Sequence, residues 1–130
     1  IMACITSIVH FVILAVGQQI DAGESTGVSF LSFRWPSVAY ALDILAWDWF
    51  FALSILVAAP VFRTGKLETM ARKLMTICGI LSLAGLIGVP LANMQIRNIG
   101  IIGYAAIAPV VFLLIGIILG RSNQVESNGQ

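Results

Sequence analysis

The chain has 130 residues, of which 59% are hydrophobic and only 10% charged, and its mean hydropathy is +1.00. A water-soluble domain carries about a quarter charged residues and at this size hides only about two-thirds of its surface, so the composition excludes an ordinary aqueous globule and points to lipid as the solvent. The formal net charge of +1 leaves no basic face for nucleic acid.

A helix crossing a hydrocarbon core of roughly 30 Å needs about 20 mostly apolar residues. Four stretches meet that condition: residues 1–20, 37–62, 74–93 and 98–120. Backbone groups in lipid must pair within their own segment, so each stretch is expected to be helical. The expected fold is all-α, a four-helix transmembrane bundle over residues 1–120 with antiparallel neighbours, followed by a polar, disordered tail over 121–130. The chain begins Ile1-Met2 without the basic stretch of a secretory signal. The first apolar run is therefore read as structure, and the bundle as open to being a fragment of a larger helical membrane protein.

Punctuation follows these limits in chain order. Asp21 and Gly23 close the first helix. The connection from Asp21 to Pro36 is the longest. Its aromatic half, Val28 to Trp35, suits the headgroup level, with a ligand lid as the sharper alternative. Pro36 and Ser37 open the second helix, where serine caps free N–H groups, and Arg63-Thr64-Gly65 closes it. A short link from Asn93 to Asn98 predicts a hairpin of helices three and four, with Pro90 and Pro109 expected to bend them. No internal repeat supports an inverted-repeat transporter core.

Five of the seven Lys and Arg residues (Arg63, Lys66, Arg72, Lys73 and Arg121) fall on one side of this topology, against Arg34 and Arg97 on the other. The positive-inside rule then puts the 63–73 loop and the C-terminal tail in the cytoplasm. The same basic loop serves either to set topology or to hold anionic lipid headgroups.

Three ionisable residues fall at bilayer depth, where each costs about 2.5–3.5 kcal/mol on insertion scales: His10, Asp43 and Asp48. Asp48 is ten residues past Val38, and His10 ten before Ile20, so at ~1.5 Å per residue both stand about 15 Å from the outer face. Their helices are consecutive, so the two residues are expected to approach each other, as a proton relay or small polar site or as a structural interhelical contact. Asp43 is shallower and is expected to pair with Arg97. Around them Gln18, Gln19, Asn93, Gln95, Asn98 and Tyr104 outline a polar cluster below the outer face. That cluster is either a lock on the hairpin or the mouth of a small-molecule site. At α-helical pitch Asp43 and Asp48 are about 140° apart, which disfavours a paired-carboxylate acid–base device.

The remaining signals concern packing. Ala84, Gly88 and Ala92 recur every four residues on helix three, and Gly116 and Gly120 do so on helix four. Such spacing lets helices approach closely, within the chain or between copies. Cys4 and Cys78 form no Cys-x-x-Cys and read as small packing residues. No phosphate-binding glycine loop, His-Glu-x-x-His or nucleophile elbow occurs, and one histidine makes no multi-histidine zinc site, so no cofactor, metal or catalytic residue is assigned.

Two runs carry a resemblance: Leu45-Ala46-Trp47-Asp48-Trp49-Phe50-Phe51 continuing to Ala58-Ala59-Pro60-Val61-Phe62, and Arg97-Asn98-Ile99-Gly100-Ile101-Ile102-Gly103-Tyr104 followed by Pro109. They resemble a group of small, uncharacterised prokaryotic multi-pass membrane proteins, over the later two-thirds of the chain. The resemblance conveys no activity. It implies a prokaryotic inner or plasma membrane and further helices upstream, and it adds weight to Asp48, Arg97 and Asn98. The expected role is a structural or accessory membrane subunit, partnered by the bilayer and by other subunits or itself. The alternative is a small transporter or proton-coupled permeation module using His10, Asp43 and Asp48. An intramembrane enzyme ranks last, because no nucleophile–base or metal set is visible.

Overall fold

The computed structural model describes residues 1–14, 35 and 37–127, with side chains as far as Arg121. Every regular element among the described residues is helical. Helix α1 is Met2–Val12, and Val9 is its buried residue. The expected continuation to Ile20, Gln18 and Gln19 of the polar cluster, and all of the first loop except Trp35 lie outside the described residues. The Trp35 ring meets Tyr40 edge-on, with centroids 6.3 Å apart.

Helix α2 runs Val38–Val61. Ser37 caps it as its position suggested, its hydroxyl accepting from the Tyr40 N–H at 3.1 Å. The helix is not uniform. Val38–Ile44 is α-helical, Leu45–Phe51 widens into a π turn, Ala52–Ala58 is α-helical again, and Ala59–Val61 tightens into a 3-10 turn at Pro60.

Helix α3 begins at Lys66, not at residue 74, so the supposed 63–73 loop is reduced to the link from Phe62 to Gly65. The first turns carry Lys66, Glu68, Arg72 and Lys73. A hydropathy criterion passes over such residues, although Ala71, Met75, Cys78 and Ser82 bury one face at helical spacing. Gly65 starts the helix with φ +107, a conformation that costs glycine least. The Glu68 side chain folds back over it as the acidic member of a capping box would. The α-helix ends at Gly85 and a 3-10 turn at Gly88, earlier than the expected 93. Pro90 therefore bends no helix. It lies in the turn to α4, and Ala92, counted from sequence among the small residues of helix three, sits in that turn with φ 49.

Helix α4 comprises Met94–Ile101, a π turn at Ile102–Ile107, and Ala108–Ser127. It starts before the expected 98 because Asn93 caps it. It also runs into the expected tail, since 121–127 holds no glycine or proline and extending an existing helix is cheap. The π turn precedes Pro109. Proline lacks an N–H and its ring crowds the carbonyl four residues back, and a widened turn relieves both problems.

Three helices, Val38–Val61, Lys66–Gly88 and Met94–Arg121, are long and apolar enough to cross a membrane. The chain divides into two compact units, Ile1–Phe51 and Ala52–Gln130. In the first, α1 packs on the α-helical start of α2 and on its π turn. In the second, α3 is central, touching the end of α2 and α4 along its π turn and both flanking segments. Glycine sets how closely α3 and α4 approach. A Cβ on Gly85 would come within 2.8 Å of the Gly100 backbone, and one on Gly103 within 2.7 Å of the Cys78 carbonyl. A Cβ on Gly88 would meet the Arg97 backbone nitrogen and lie 2.6 Å from the Asn93 carbonyl. By contrast, a Cβ on Gly116 or Gly120 would meet nothing within 4 Å.

Candidate polar sites within the two units

In the first unit the acidic pair is buried. Asp48 is wholly enclosed and Asp43 is 7% exposed. Regular α-helical pitch predicts that only one of them faces inward, but the π turn that begins at Leu45 changes the angle per residue between them. The separation of about 140° that follows from α-helical pitch therefore does not apply between Asp43 and Asp48. Beside Asp48, Trp47 and Phe51 pack ring to ring at 5.6 Å, and Trp49 is exposed.

His10 stands differently from Asp48. It is exposed on α1, with Nδ1 2.8 Å from the Thr6 carbonyl oxygen. A carbonyl only accepts, so Nδ1 carries the proton in this contact. Similar positions along two packed helices do not imply equal burial, because position along a helix says nothing about rotation around its axis.

In the second unit Arg97 is 3% exposed. Its Nη2 donates to the Tyr104 hydroxyl at 2.9 Å, two turns further along α4. The sequence grouped Tyr104 with the polar cluster without linking it to Arg97, yet the spacing of seven residues was the available signal. Asp43 belongs to the first unit and Arg97 to the second. Asn93 is committed to the helix start, its Oδ1 accepting from the Gln95 and Ile96 N–H groups at 3.0 and 3.3 Å. Asn98 is exposed.

A second polar contact in this unit joins α3 to α4, with no signal for it in the sequence. The buried Cys78 thiol donates to the Gly103 carbonyl at 3.1 Å. That carbonyl also accepts from the Ala108 N–H, the five-residue bond of the π turn. Ser82 is fully buried beside it, its Oγ 2.8 Å from where a Gly103 Cβ would stand. Cys78 is therefore more than a small filler, while Cys4 is an exposed free thiol on α1. No cluster of three or more His, Cys, Asp or Glu side chains suited to a metal ion occurs among the described residues.

Chemically, these groups comprise a guanidinium–phenol contact, a thiol–carbonyl contact between helices, and two buried carboxylates on one helix. The first two tie polar atoms to fixed partners. The carboxylates are titratable side chains buried in an apolar unit. Comparison with protein-family models, with curated proteins and with solved structures finds no match to this chain.

Proposed function

We propose that this chain is a multi-pass integral membrane protein acting as a structural or accessory membrane subunit, with the Arg63–Lys73 end facing the cytoplasm. The observation that carries the membrane reading is an inversion of burial. Asp48 and Arg97 are 0% and 3% exposed, while Val57 is 78% and Phe112 58% exposed. Water would drive these the other way, whereas lipid favours apolar side chains outside and charges turned inward. The accessory role is supported by the second unit. There, polar side chains are tied to partners on α3 and α4, and backbones approach at glycines, as in helices selected for close packing.

The experiment is fractionation followed by reconstitution. The chain should remain with membranes through alkaline extraction and require detergent to stay monodisperse. A monodisperse chain in plain buffer would overturn the membrane reading. In liposomes, proton flux no greater than in empty vesicles is expected of an accessory subunit.

One observation favours a second reading, the proton-coupled module. Asp48 is enclosed within a π turn, a distortion frequently found at functional sites. Proton flux that is present in the wild type and lost in Asp48→Asn would support this reading and displace the first.

A further inference from the structure

Where α2 ends and α3 begins, an open-sided cleft of about 460 Å³ lies within the second unit. Its lining joins two chemistries. Leu56, Ala59 and Pro60 give an apolar wall from the end of α2, and Arg63, Arg72 and Thr76 give a polar side. Arg63 is held by its own chain, Nε donating to the Pro60 carbonyl at 3.2 Å, which leaves its two terminal nitrogens for another acceptor. Thr76 donates its hydroxyl to the Arg72 carbonyl at 2.9 Å. Neither guanidinium meets a carboxylate among the described residues. Glu68, the acid nearest in sequence to Arg72, is turned back over Gly65 at the helix start.

We infer that this cleft binds the phosphodiester of an anionic phospholipid, with Arg63 and Arg72 on the phosphate and an acyl chain along Leu56 and Ala59. Two guanidinium groups suit a phosphate because each presents a planar pair of donors to its oxygens. The site is at the shared end of the two apolar helices Val38–Val61 and Lys66–Gly88, where headgroups meet a membrane-spanning chain. Exposed Lys66 and Lys73 add positive charge around it. An apolar wall next to the cations favours a lipid over a free anion, which would gain nothing from Leu56 or Ala59.

The inference rests on the membrane reading, and its test separates the two. Full-length chain in mild detergent is incubated with phosphatidylglycerol or phosphatidylcholine at equal concentration, and bound lipid is counted by native mass spectrometry. Phosphatidylglycerol should be preferred by roughly tenfold. Arg63→Gln with Arg72→Gln should reduce that preference to near unity, and Lys66→Gln with Lys73→Gln should keep most of it. Arg63→Lys with Arg72→Lys, which retains charge and loses the paired donors, should fall between. Should the glutamine variant fail to elute like the wild type, the lysine variant decides, and a preference equal to wild type overturns the inference. Equal binding of the two lipids by the wild type overturns it as well. So does a third arm in which inorganic phosphate binds with the same arginine dependence while lipid preference is absent, since that describes a soluble-anion site. A chain that needs no detergent defeats the membrane reading first. Loss of lipid preference with detergent still required defeats this inference alone.

Discussion

The two glycine pairs of α4 behave in opposite ways. Gly100 and Gly103 lie against the α3 backbone so closely that a single Cβ at Gly103 would collide with the Cys78 carbonyl. Gly116 and Gly120, further along the same helix, have the better-known four-residue spacing, and their Cα positions face open space. Spacing along one helix marks where another helix could approach. Whether one does depends on what the opposing helix offers, and α3 offers Gly85, Cys78 and Ser82 only to the first pair. The first half of α4 is thus locked by packing and polar contacts, and the second half is an apolar helix with Phe112, Leu113 and Leu119 exposed.

The contrast can be broken most directly at the glycines. Gly103→Leu should cost about 3 kcal/mol by overpacking against Cys78 and Ser82, while Gly116→Leu should change stability by under about 0.5 kcal/mol. Thermal unfolding in detergent measures both, and equal losses would erase the distinction. A change of oligomeric state confined to Gly116→Leu would show that the open half is used between copies.

A smaller effect sharpens the picture at the polar lock. Tyr104→Phe removes the acceptor 2.9 Å from Arg97 and should cost about 1.5–3 kcal/mol. A loss within error of zero would mean that the contact contributes nothing to holding α4.

Next comes the helix start. Asn93→Ala should cost ~1 kcal/mol through loss of its two cap bonds, and Asn98→Ala, at an exposed position, under about 0.5 kcal/mol. Reversed magnitudes would show that Asn98, and not Asn93, holds this end of α4.

One small expected change is a gain. Ala92 holds φ 49, which strains an L residue by about 1–2 kcal/mol. Ala92→Gly relieves that strain but adds unfolded-state entropy, for a net stabilisation of at most about 1 kcal/mol. A raised melting temperature is the readout, and a lowered one would indicate that the turn tolerates alanine without strain.

Much of this architecture is legible without coordinates. Length and hydropathy are sums along the chain, so they mark four apolar stretches, three of which contain helices long and apolar enough to cross a membrane among the described residues, and Ser37 announces its own cap through a purely local bond. Local chemistry also carries the helix break at Arg63-Thr64-Gly65, because Gly65 needs a backbone that glycine adopts most easily. The charged start of α3 escaped for the converse reason. A criterion that counts apolar residues passes over Lys66 to Lys73, although those residues form ordinary helix.

Contacts across space were decided by folding. Rotation about each helix axis, which hydropathy does not encode, leaves His10 outside while Asp48 is enclosed. The π turns at Leu45–Phe51 and Ile102–Ile107 alter the angle per residue, so side-chain directions extrapolated at α-helical pitch drift beyond them. Which glycines face a neighbouring backbone, and which cysteine finds a carbonyl, depends on pairs of residues far apart in the chain: Gly85 with Gly100, and Cys78 with Gly103. Residue types and their order supply the solvent preference and the local caps. The partners are chosen when the helices pack, because fit is a property of two surfaces at once.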